Sequence, residues 1–293
     1  MTDTLLSLPL IAPFIEFGFM RRALAGCLAL ALGATPIGVL LMLRRMSLAG
    51  DAMSHAILPG AAIGYLIAGL SLPAMSLGGL LVGLTVAVLA GGISRHSVIK
   101  EDASLATFYL LSLSSGVLII SLRGSSVDLL HVLFGSVLAL DDATLLLLAS
   151  FASLSMVVLA LGLRLFALEC YDPAFLARIS RLAPLAHYGF LILLVLNLVA
   201  GFHALGTLMA VGIMILPAVT ARLWVCNLGP LLLIASATAF LGSLTGLLIS
   251  YYANLPAGPA IVLTLGAGYL LSLLIGPLGP LASRWRSGWH FER

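Results

Sequence analysis

Asp51-Ala-Met-Ser-His55 sets a carboxylate and an imidazole four residues apart in a chain that is otherwise almost free of charge. On a helix, such positions share one face with Cβ atoms about 5–6 Å apart, so the two side chains can hold one small cation together. Neutral imidazole beside carboxylate suits zinc, manganese or iron(II) better than potassium or calcium. Two side chains are an incomplete set, which backbone carbonyls or residues of other segments would complete. Pro59, followed by Gly60, has no N–H to offer the carbonyl of His55, so the helix should loosen beside the pair. A carboxylate at membrane depth costs about 2.5–3.5 kcal/mol on insertion scales, so Asp51 must face protein, water or a cation. The plainer alternative is a pairing of Asp51 with Arg44 or Arg45.

The elements that must position this pair are membrane helices. Hydrophobic residues make up 61% of the 293 residues and charged ones 9%, and the mean hydropathy is +1.19. Apolar segments of spanning length fall near 23–43, 53–70, 75–94, 104–122, 143–166, 188–203, 205–221, 230–250 and 259–279. The expected fold class is therefore an all-α integral membrane protein, a polytopic bundle of about 8–9 transmembrane helices. Residues 1–293 read as one transmembrane domain, with 1–22 as an outer interfacial segment interrupted by Pro13 and Glu16, and 169–187 as a polar cytosolic segment. The 188–203 and 205–221 segments abut at Gly201 to Gly206 and form either a tight hairpin or one broken element. Cys27, Cys170 and Cys226 imply no disulfide framework, and residues 1–20 read as mature chain rather than as a secretory signal.

Nine spans with a cytosolic C-terminus place Arg44, Arg45, Arg95, Lys100, Arg164, Arg178, Arg181, Arg222, Arg284, Arg286 and Arg293 inside and leave Arg21, Arg22 and Arg123 outside. Arg21 and Arg22 then face outward, either to dock carboxylates of a soluble partner or to anchor at lipid headgroups. The 169–187 segment encodes one short helix. Asp172 suits its N-cap and Pro173 its first turn, while Pro184 is expected to stop it beyond Arg178 and Arg181. Such a helix is either a lever for a peripheral cytosolic protein or an ordinary surface connector.

His131, three residues after Asp128, suits a contact at the outer mouth or a gate element, and His203 at the outer bend suits contact with a passing ion. His96, His187 and His290 are flanked by basic residues and are expected to be solvated. There is no His-Glu-x-x-His helix, no Gly-x-Ser-x-Gly elbow and no Gly-x-x-x-x-Gly-Lys-Ser phosphate loop. ATP hydrolysis by this chain, and enzymatic activity more broadly, find no support.

The block Leu41-Met-Leu-Arg-Arg-Met-Ser-Leu-Ala-Gly-Asp-Ala-Met-Ser-His-Ala-Ile-Leu-Pro-Gly60 closely resembles the signature of permease subunits of zinc, manganese and iron ABC importers. The resemblance continues through Glu101-Asp102, Val127 to Gly135, Tyr171-Asp172-Pro173, Gly206 to Ala221 and Leu255 to Ala260. It implies a homodimeric pore in a bacterial inner membrane, in contact with lipid but not with nucleic acid. Two cytosolic ATPase subunits that use the ATP and an extracytoplasmic metal-binding protein complete the implied assembly. It also implies that Asp51 and His55 touch the metal in the translocation path and that the segment from Tyr171-Asp172-Pro173, with Arg178 and Arg181, couples to the ATPase. No permanently bound cofactor is expected. The divalent cargo is expected to be zinc, with manganese or iron(II) as alternatives. An ion-coupled secondary transporter is the competing reading, and it predicts inverted repeats and more intramembrane carboxylates than this chain offers.

Overall fold

The computed structural model describes residues 12–69, 71–96, 101–122 and 140–279. Among them the chain is helical. A short α1 (Ala12–Glu16) leads into α2 (Gly18–Leu43), followed by α3 (Ser47–Ala56), α4 (Leu58–Ala68), α5 (Leu72–His96) and α6 (Glu101–Leu122). The second half comprises α7 (Asp142–Tyr171), the short α8 (Pro173–Ile179), α9 (Ala183–Leu205), α10 (Thr207–Arg222), α11 (Leu228–Ala253) and α12 (Ala257–Ile275). Every apolar segment expected to span falls on this set. Among the described residues seven helices are long and apolar enough to cross a membrane, and α10, with 16 residues, is a shorter apolar helix. At 1.5 Å per residue α10 extends about 24 Å, less than a hydrocarbon core of about 30 Å.

Segment 53–70 is not one continuous span. It breaks at Ile57 into α3 and α4, with Pro59 in the first turn of α4. The cause is the missing Pro59 N–H, and the break lies two residues after His55. The segments abutting at Gly201 to Gly206 form a tight connection: Gly206, at φ +84, closes α9 and opens α10. This left-handed backbone is open to glycine at little cost.

Two packed groups meet in the core. One is α3 to α6, in which α4 and α5 turn back on each other at Gly69 (φ +66) and cross closely where Gly60 and Gly64 face Gly78 and Ala74. The other gathers α7, α10 and α11 around α2, with α12 against α10 and α11. Helix α9 lies between them, against α5 and α7. Small residues make these approaches possible: Gly38 of α2 rests on the Met214 backbone of α10, and Gly33 rests on Ala152 of α7.

Candidate metal path and its supporting helices

Asp51 and His55 lie on α3, the ten-residue helix between two backbone breaks. His55 Nε2 stands 3.7 Å from Asp51 Oδ1, beyond a direct hydrogen bond but within reach of a shared cation. Asp51 keeps 60% of its side chain exposed and His55 21%. The other edge of the imidazole, Nδ1, is buried, and the ring packs at 5.6 Å, tilted by 48°, against Tyr109 of α6. The imidazole is thus wedged by α6 with its free edge toward the carboxylate. Among the described residues no group of three or more His, Cys, Asp and Glu is placed to hold a metal. The pair presents two side chains able to ligate a metal on an open face, an arrangement that would suit brief contact and quick release rather than a closed four-ligand site.

Of the two alternative partners for Asp51, Arg44 is engaged elsewhere. Arg44 keeps 9% of its side chain exposed and bonds Glu101, with Nη2 to Oε2 at 2.7 Å. His187, expected to be solvated, is buried, with its Nδ1 2.7 Å from the same Arg44 nitrogen and 3.2 Å from Glu169 Oε1. Neighbouring basic residues in the sequence hid this placement. Glu101, Glu169 and His187 reach Arg44 only because α6, α7 and α9 converge at that end of the bundle. Charged residues at the ends of apolar segments were the available signal.

The short helix in the 169–187 segment is present. Asp172 caps it by accepting the Phe175 N–H at 2.9 Å, and Pro173 fills the first turn. Its end differs from expectation: it stops at Ile179, Arg181 lies beyond it, and Pro184 sits in the first turn of α9 instead of terminating α8. Proline is as well suited to opening a helix as to following one. Leu176 is buried and anchors α8 beside Ala183 and Ala186. Tyr171, Phe175, Arg178, Ile179 and Arg181 are exposed. Tyr171 also lines, with Arg44, Arg45 and Arg222, a cavity of about 480 Å³ at this end of the bundle.

At the opposite end Arg21 and Arg22 sit in the first turns of α2. Arg21 is exposed, while Arg22 pairs with Asp142 at 3.2 Å across to α7. His203 falls in the last turn of α9, three residues before the Gly206 turn. His131, together with Asp128, lies outside the described residues.

Residues 16–276 match the ABC 3 transport family. The chain is 33% identical over 262 residues to the manganese import system permease protein ScaB of Streptococcus parasanguinis, covering 89% of this chain and 92% of that protein. It is 28% identical over 275 residues to the chelated iron transport system membrane protein YfeD of Yersinia pestis, covering 94% and 91%. The solved structure of PsaBC from Streptococcus pneumoniae in complex with Fab superposes with a TM-score of 0.81 at 29% identity, over 97% of this chain and 100% of that one. Together with the all-helical fold and the block from Leu41 to Gly60, these matches establish that the chain belongs to the ABC 3 transport family of ABC-importer permeases.

Proposed function

We propose that this protein is the membrane subunit of an ATP-driven importer that passes a divalent transition metal, manganese foremost, across a bacterial inner membrane. The observation that carries the reading is the Asp51 and His55 pair, aligned on a short helix inside a chain whose relatives are named for manganese and iron transport. Those names move manganese ahead of zinc. The chemistry agrees, since a carboxylate and an imidazole without thiolate accommodate manganese, and selectivity among divalent ions rests on geometry and supply.

A second copy of the chain would face the exposed side of Asp51 and complete the path. An extracytoplasmic metal-binding protein would deliver the ion at the Arg21 end, where that guanidinium stands exposed. Cytosolic ATPase subunits would dock on α8 and the turn after it, where exposed Phe175, Arg178 and Ile179 of the helix and Arg181 beyond it offer both apolar and cationic contacts. The ion would pass from receptor to Asp51 and His55 and on to the cytosol as the helices rearrange. Reconstituting the permease with its ATPase and receptor in proteoliposomes tests this. ATP-dependent accumulation of manganese supports the reading, and accumulation that ignores ATP but follows a proton or sodium gradient makes the chain a secondary carrier.

A further inference from the structure

The chain on both sides of α8 converges on one buried side chain. Arg44, the residue that closes α2, keeps only 9% of its side chain exposed. Its Nη2 lies 2.7 Å from Glu101 Oε2, 2.7 Å from His187 Nδ1 and 3.7 Å from Glu169 Oε1, with the guanidinium 5.5 Å over the Phe190 ring. Glu169 precedes Asp172, the α8 cap, by three residues, and His187 lies in the first turns of the helix that follows α8. His187 Nδ1 accepts from Arg44 in one tautomer and donates to Glu169 in the other, while its Nε2 stands 3.8 Å from Glu101 Oε1.

The same node reaches the metal pair by two routes. Arg44 is followed by Arg45, at φ +61, and three residues after Arg44 the chain enters α3, which bears Asp51 and His55. Glu101 opens α6, the helix that presses Tyr109 against His55. Separating buried charged and hydrogen-bonded groups from their partners is costly, so a movement shared by these four side chains would cost less than one that parts them. A displacement of α8 would pull on Glu169 and His187, hence on Arg44 and Glu101, hence on both helices that hold the imidazole.

We propose that Arg44 is a positioning residue for transport, the buried joint through which movement of α8 reaches Asp51 and His55. The proposal rests on α8 as the ATPase contact and on the Asp51 and His55 pair as the metal contact. The test uses the complete complex carrying Cys226→Ser and Leu48→Cys, a reporter on the exposed face of α3, with maleimide labelling followed with and without ATP and magnesium. Labelling of the parent responds to ATP, and in Arg44→Lys the response shrinks about tenfold, with a similar fall in manganese ions moved per ATP hydrolysed. Glu101→Gln, which keeps the side-chain shape, gives the same result and decides the matter where Arg44→Lys fails to assemble.

A purely structural role would lower transport and hydrolysis in proportion and leave their ratio unchanged. That outcome overturns the joint, as does labelling of the parent that ATP does not alter. Labelling that responds in the parent and is blunted in the variants, in a complex that accumulates no metal, upholds the joint and removes the transport reading instead.

Discussion

Thr35 donates its hydroxyl to the carbonyl of Ile213 at 3.0 Å, in the buried contact between α2 and α10. That carbonyl is the one which Pro217, four residues on within α10, leaves without an N–H. A carbonyl stranded at this depth has no water to turn to, so a side chain from the neighbouring helix takes the place of the missing backbone donor. Thr35→Val, close in shape, should lower the stability of the detergent-solubilised protein by about 1–2 kcal/mol. The decisive comparison is a double-mutant cycle. Pro217→Ala restores an N–H to Ile213, so Thr35→Val should cost markedly less in that background, and an equal cost in both would dismiss the pairing.

Removing either ligand candidate should stop transport without disturbing assembly. Asp51 is largely exposed and His55 packs on the Tyr109 ring, so neither Asp51→Ala nor His55→Ala opens a large void. Uptake of manganese at limiting concentration should fall by roughly 10–100-fold or more, the range seen when merely the support of a metal ligand is disturbed. Size-exclusion profiles of the complex should match the parent. Uptake that persists in both variants would move the path away from α3.

The cap of α8 separates a structural from an electrostatic role at the proposed ATPase contact. Asp172→Ala removes the acceptor of the Phe175 N–H, at a local cost of about 0.5–2 kcal/mol, and should fray this seven-residue helix. Global unfolding should hardly change, since only Leu176 anchors α8 in the core, whereas ATP-dependent uptake should drop. Asn caps a helix as well as Asp does, so Asp172→Asn should retain most of the uptake. If Asn fails as completely as Ala, the carboxylate charge and not the cap is what the ATPase meets.

How far the sequence reached follows the range of each interaction. The Asp51 and His55 pair, the break before Pro59, the Gly206 turn and the Asp172 cap are all set by neighbours within four residues, and all were legible. Pro184 was not, because a proline before an apolar run reads equally as the end of one helix or the start of the next. His187 was misread for a different reason: its partners Arg44, Glu101 and Glu169 are distant in sequence, and only packing of α2, α6, α7 and α9 unites them. The Asp51 and His55 pair lies on one helix face and announces itself by spacing, while the buried node is assembled by topology. Sequence spacing carries no trace of the second kind of constellation.

The same one-carbon change should have opposite effects at two glycines. A Cβ on Gly60 would run into the carbonyl of Gly78, and one on Gly78 into the carbonyl of Gly60. Backbone cannot yield as a flexible side chain can, so Gly60→Ala must push α4 and α5 apart, at about 1–3 kcal/mol. It should also shift Pro59 and loosen the end of α3. On α12, a Cβ at Gly266 meets nothing within 4 Å. Gly266→Ala should therefore be neutral or stabilise by up to about 1 kcal/mol through the lower conformational freedom of alanine. Thermal unfolding of the two purified variants checks both signs. A loss at Gly266 of the size expected at Gly60 would mean that a second copy of the chain packs closely on that face of α12.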